Sequence, residues 1–204
     1  MEPLIRISGP AACLPQPNID TDVIMPKQFL KGVDRRGLDR GVFFDLRFDA
    51  QGQPRPDFIL NRPGWRNARF LVVGPNFGCG SSREHAVWGL AQLGIRALIG
   101  TSFAGIFNDN CQRNGILTVT LDAGLVADLM AVAGQAGANG LTVDLPAQTI
   151  IVNADGRIIP FAIDPVRKDA LVQGLDGVSA TLARHAGAIR VFEAGHRQAN
   201  PWFF

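Results

Sequence analysis

Arg69-Phe70-Leu71-Val72-Val73-Gly74, followed by Gly78-Cys79-Gly80-Ser81-Ser82-Arg83-Glu84-His85, is the stretch that decides the fold. Its first six residues read as a buried strand. Ala86, Val87, Leu90, Ala91 and Leu93 then space apolar residues along one face of a helix over 84–93, which Gly94 ends. Strand, glycine-rich turn and helix aim backbone N–H groups and the positive end of a helix dipole at one spot, where an anion is the natural occupant. A serine and an arginine in that turn add a proton-transfer group and a carboxylate receptor. The same residues also fit a capping box, with Ser81 as N-cap and Glu84 reaching back from the third helical position. That reading is worth about 1 kcal/mol and carries no chemistry.

The regular pattern continues downstream. Strands are predicted over 97–100 and 116–121, and helices over 103–113 and 123–135. Such alternation implies parallel pairing, with helices packed on the sheet. Beyond it, 141–145 and 148–153 read as strands, Asn153-Ala154-Asp155-Gly156 as a hairpin turn, and 157–163 as the returning strand. Helices are expected over 166–174 and 178–197, before the aromatic tail Asn200-Pro201-Trp202-Phe203-Phe204.

Upstream, 1–19 is proline-punctuated and extended. Asp20 and Asp22 fall on one side if the extended run continues through them. Residues 27–66, rich in charge, Gly, Pro and Phe, are expected to form a long, partly ordered excursion of the functional kind. The fold class is α/β with an added antiparallel portion, in one domain over 1–204.

At 204 residues, with 47% hydrophobic and 19% charged side chains, the composition suits a soluble globular domain. A net charge of +2 with scattered Lys and Arg argues against nucleic acid. No apolar run approaches the ~20 residues of a membrane span, and no charged-then-apolar leader opens the sequence, so a cytoplasmic protein is expected. Cys13, Cys79 and Cys111 are far apart, form no CxxC pair, and read as reduced thiols. Cys79 is the one whose thiol a helix N-terminus would activate. His85, His185 and His196 lack metal-ligand spacing, so neither a zinc site nor a self-contained iron–sulfur site is expected in this chain.

A stand-alone serine hydrolase is disfavoured. Gly80-Ser81-Ser82-Arg83 lacks the second glycine of a nucleophile elbow, and a histidine four residues after a serine makes no triad. A non-catalytic domain that binds a carboxylate or a partner stays open.

Several motifs occur together: Asn18-Ile19-Asp20-Thr21-Asp22-Val23-Ile24, Pro26-Lys27-Gln28-Phe29-Leu30, Asn76-Phe77 leading into the serine turn and Ala86, and Ser102-Phe103-Ala104-x-Ile106-Phe107. Phe43-Phe44-Asp45-x-Arg47-Phe48, Pro56-Asp57-Phe58 and Gly174-Leu175-Asp176 extend the set along nearly the whole chain. In these motifs the chain closely resembles the small-subunit family of bacterial 3-isopropylmalate dehydratase, which is similar to the swivelling C-terminal domain of aconitase.

The resemblance implies a swivelling β/β/α fold. It also implies a larger partner chain that carries a [4Fe-4S] cluster, and a small dicarboxylic acid as substrate. The implied reaction dehydrates 2-isopropylmalate to isopropylmaleate and rehydrates it to 3-isopropylmalate, a step of leucine biosynthesis. By the same resemblance Ser81 matches the catalytic base, Arg83 the arginine beside it, and Asp22 a polar orienting aspartate. Gly80 and Ser82 would contact substrate. Lys27, Lys31 and Arg35 lie in the expected specificity loop, with Arg35 favoured as the substrate-contacting basic residue and Lys27 second. Leu117-Thr118-Val119 stands where many members have Leu-Pro-Val. Such departures leave open a related hydro-lyase acting on citramalate/citraconate or homoaconitate.

Overall fold

The computed structural model describes residues 1–30, 35–81 and 83–203. The strands are β1 (Arg6–Leu14), β2 (Phe70–Val73), β3 (Ala97–Gly100), β4 (Leu117–Thr120), β5 (Gly140–Asp144), β6 (Thr149–Val152) and β7 (Ile158–Pro160). They form one sheet in the order β4-β3-β2-β1-β5-β6-β7. β1 to β4 pair in parallel, and β1 with β5, β5 with β6 and β6 with β7 pair antiparallel. This is the mixed α/β architecture that the strand–helix alternation and the hairpin turn lead one to expect.

The proline-punctuated N-terminal run supplies the central strand. β1 pairs with β5 through Arg6–Pro10 and with β2 through Ala11–Leu14. Pro10 therefore sits at the changeover between partners, where a missing N–H donor costs the ladder least. Its carbonyl is still used, accepting from Arg69 N at 2.8 Å.

The helices are α1 (Thr21–Ile24), α2 (Phe44–Arg47), α3 (Glu84–Gln92), α4 (Gly105–Arg113), α5 (Ala123–Ala133), α6 (Pro165–Gln173) and α7 (Gly177–Ala199). Alternate side chains of β2 enter opposite cores. Leu71 and Val73 pack with Ala86, Val87 and Leu90 of α3, while Phe70 and Val72 pack with Val126 and Leu129 of α5. All four β2 side chains are fully buried. Each contributes roughly 1.5–3 kcal/mol. That exceeds the ~1–2 kcal/mol cost of Asn76, which holds a left-handed φ of 57° in the turn that follows. Burial of the strand fixes where the turn must stand.

The 27–66 excursion is better packed than its composition suggests. Its described residues form 3-10 turns at Lys27–Leu30, Leu38–Gly41, Ile59–Asn61 and Pro63–Trp65. Leu38, Val42, Phe43, Leu60 and Trp65 are buried in the same core as the inner face of α3. The Trp65 indole N–H donates to Ala133 O at 2.7 Å, which ties the excursion to the end of α5. Phenylalanine area replaces the missing periodicity here. By contrast, α7 buries none of its residues. Among the described residues no helix is long and apolar enough to cross a membrane.

Candidate active site

The turn after β2 lies at the C-terminal edge of the parallel strands, where α/β sheets commonly hold ligands. The segment after β1 runs beside it. Gly78 N donates to Ile19 O at 2.8 Å and Thr21 N to Cys79 O at 2.9 Å, making a parallel bridge between Asp20 and Cys79. Two glycines permit this approach. A Cβ at Gly78 (φ 78°) would lie 2.1 Å from the ring of Phe107, and one at Gly80 (φ 86°) 3.3 Å from Asp20 Cβ. Both conformations are left-handed, which only glycine adopts without cost.

The turn delivers Ser81 to the surface, exposed. Its carbonyl accepts from Thr21 Oγ1 at 2.6 Å and from Arg83 N at 2.8 Å, so the peptide carrying the serine is held from two sides. Arg83 Nη2 donates to Ser81 Oγ at 3.3 Å, while Nη1 donates to Asp22 Oδ1. One guanidinium thus bridges a serine hydroxyl and a carboxylate contributed by different segments.

The capping-box expectation fails. The N-cap of α3 is Arg83, and among the described residues no side chain caps it. Glu84 is drawn away to Asn114, whose Nδ2 donates to Glu84 Oε1 at 2.8 Å. Ser81 is therefore not spent on an orphan amide, which leaves the N-terminal end of α3 uncapped by the serine turn. The extended reading of the two acids also fails, because the chain turns into α1 at Thr21. Asp20 is the N-cap, accepting from Val23 N at 2.8 Å, and Asp22 sits in the first turn, placed to meet Arg83.

The other site candidates divide. Arg35 lies with its guanidinium carbon 4.0 Å from the centroid of the Trp88 ring on α3. Lys27 is exposed at the start of its 3-10 turn, and no contact among the described residues joins it to Ser81, Arg83 or Asp22. Ser82 and Lys31 lie outside the described residues. Sequence reasoning missed Thr21, though it stands inside a quoted motif as a hydroxyl between two acids. It also missed Asn114, for which no local signal exists.

Cys79 is half-buried and donates to Asn18 O at 3.4 Å. Burial pushes the Cys13 thiol up despite nearby Arg62, and pushes fully buried Cys111 well up. Among the described residues no three His, Cys, Asp or Glu side chains gather as metal ligands. A cavity of about 500 Å³ at the end of β1 is lined by Leu14, Ile19, Val23, Phe58 and Arg62, among others. None of Ser81, Arg83 or Asp22 is among its lining residues, and Ser81 itself is exposed.

A mixed sheet with this serine turn at its parallel edge defines a domain of the aconitase C-terminal class. The family model of the aconitase C-terminal domain matches residues 1–124, and the model of the C-terminal domain of the 3-isopropylmalate dehydratase small subunit matches residues 179–204. The chain belongs to the 3-isopropylmalate dehydratase small-subunit family. It is 57% identical over 202 residues to 3-isopropylmalate dehydratase small subunit 2 of Salmonella typhimurium, covering 99% of this chain and 96% of that one. It is 54% identical over 202 residues to small subunit 1 of Mannheimia succiniciproducens, covering 99% and 98%. The crystal structure of 3-isopropylmalate dehydratase from Methanocaldococcus jannaschii superposes with a TM-score of 0.64 at 23% identity, over 94% of this chain and 99% of that one, a likeness of fold.

Proposed function

We propose that this chain, joined to a large subunit that bears an iron–sulfur cluster, interconverts 2-isopropylmalate and 3-isopropylmalate through isopropylmaleate. The observation that carries the reading is the Ser81–Arg83–Asp22 arrangement on an exposed edge. A proton must leave a carbon next to a carboxylate, and the adjacent hydroxyl must depart. Lewis-acid assistance to that hydroxyl is the chemistry a cluster on the partner supplies.

The residues of this chain handle the proton. Ser81 as its alkoxide takes the proton from carbon and becomes a neutral hydroxyl; rehydration returns the proton to carbon. A serine is a poor base in water, so the alkoxide has to be stabilised. Arg83 does so by donating to Oγ, and the positive end of α3 adds to it. Asp22 holds the other edge of the guanidinium and fixes its plane. Gly80, and Ser82 through its match to the family motif, are the residues whose backbone groups would meet the substrate carboxylate, whose developing negative charge fixed donors favour. Arg35 is the favoured receptor for a second carboxylate, with Lys27 second. An exposed serine on the sheet edge fits a half-site that the partner chain covers.

The test is anaerobic co-purification with the large subunit of the same organism, assaying isopropylmaleate formation from 3-isopropylmalate with each chain alone as control. Activity only in the mixture is expected, with Ser81→Ala assembling but not turning over. A stable complex that ignores isopropylmalate and dehydrates citramalate would replace the substrate assignment. Failure to form any complex would remove the subunit reading.

A further inference from the structure

Arg35 is an unusual surface arginine. It is exposed, and among the described residues no carboxylate pairs with it. Its main chain is nevertheless pinned, because the Gln92 amide donates to Arg35 O and accepts from Leu38 N at 2.9 Å. Its guanidinium lies over Trp88. Stacking uses the face of the guanidinium and leaves the N–H edge free, whereas an ion pair would consume that edge.

The platform is itself oriented. Trp88 Nε1 donates to Asn114 Oδ1 at 3.0 Å, and Asn114 donates through Nδ2 to Glu84 Oε1 at 2.8 Å and to Asn110 O at 2.8 Å. The His85 ring contacts the indole at a centroid distance of 4.7 Å. Glu84 directly follows Arg83, so the chain of contacts runs from the serine turn to Arg35. Trp88 stands five residues beyond Arg83, about 7.5 Å along the helix axis. Large side chains on a helix lean toward its N-terminus, which brings the stacked arginine back toward the serine end.

We infer that Trp88, oriented by Asn114, is a positioning residue that presents the free edge of Arg35 to the substrate carboxylate remote from Ser81. This rests on the reading of the chain as half of a dicarboxylate hydro-lyase, and adds to it the device that aims the specificity arginine.

The test is a double-mutant cycle on the assembled two-subunit enzyme, with Arg35→Gln, Trp88→Leu and the double variant. Arg35→Gln is expected to raise KM on the order of tenfold, as for one lost charge-assisted hydrogen bond. Trp88→Leu should raise it about threefold, with kcat nearly unchanged. In the Arg35→Gln background Trp88→Leu should then change nothing further. Trp88→Phe keeps a ring face but loses the bond to Asn114, and should fall between wild type and Trp88→Leu. Effects that multiply independently, or a Trp88→Leu loss confined to kcat and melting temperature, would overturn the positioning role. Calorimetric titration of the complex with isopropylmalate separates the two readings. Coupled losses of affinity in an enzyme that does not turn isopropylmalate over would sink the reaction assignment and leave this inference standing. Full turnover with uncoupled variants would do the reverse.

Discussion

Asp22 and Arg83 form an ion pair that leaves the second terminal nitrogen of the arginine 3.3 Å from Ser81 Oγ. Asp22 is 42% exposed, so the pair adds only ~0–1 kcal/mol to stability, and its main effect is geometric. Asp22→Asn keeps the shape and removes the charge that fixes the guanidinium. In the assembled enzyme kcat should fall about tenfold, with melting shifted by no more than about 3 °C. Ser81→Ala should cost roughly 10²–10⁴ in kcat with assembly unchanged. A collapse of melting temperature in either variant would mean that these residues hold the fold rather than the chemistry.

Thr21 is buried, and its hydroxyl is committed to Ser81 O at 2.6 Å. Thr21→Val conserves volume and deletes the donor. The carbonyl keeps Arg83 N as a second partner, so the stability loss should be about 1 kcal/mol rather than the larger penalty of an orphaned acceptor. Steady-state kinetics should show a lower kcat at similar KM, because the serine loses one of the two anchors of its peptide. Thr21→Ser should restore most of the rate. An unchanged rate in Thr21→Val would show that Arg83 N alone positions the serine.

Strands β2 and β3 were legible because each is a short apolar run bounded by glycine or charge, and both core faces claim its side chains. The serine turn was legible because its chemistry is local: glycines, a hydroxyl and a guanidinium within a few residues. What could not be read depends on distant partners. The N-terminal run gives no sign that it will be the central strand, since that follows from pairing with β2 and β5. The Thr21–Ser81 bond spans 60 positions. The capping box was a sound local pattern that lost to a tertiary one, because Asn114, 30 positions away, offers Glu84 a part-buried partner. The described part of the 27–66 excursion hid its order because aromatic packing carries no period.

Gly78 tests the packing that sets the turn. With φ at 78° and a ring carbon of Phe107 2.1 Å from the place a Cβ would take, Gly78→Ala meets both strain and collision. Phe107 cannot retreat freely, since it packs edge-on against buried Phe77 at 5.6 Å. A loss of about 2–4 kcal/mol is expected, combining overpacking with a left-handed backbone penalty. Urea unfolding of the isolated chain measures it. In the Phe107→Ala background, itself costly because the ring is buried, Gly78→Ala should lose its steric part and keep its backbone part. Full recovery would assign the whole effect to the ring.

The three thiols should separate by reactivity. Only the thiolate alkylates. Burial raises Cys13, so its thiolate appears only at higher pH than usual, and Cys111 is both raised further and inaccessible. Iodoacetamide should therefore add first at half-buried Cys79, ahead of the two thiols that burial raises. Cys13 should follow only at higher pH, and Cys111 only when urea opens the core. Peptide mass mapping across a pH series reads this directly. The Cys79 adduct would sit two residues from Ser81, in the turn bridged to Asp20, so turnover should fall in step with the first addition. Alkylation of Cys13 first at neutral pH would show that Arg62 outweighs burial there. Full activity after Cys79 is blocked would place substrate on the far side of the turn.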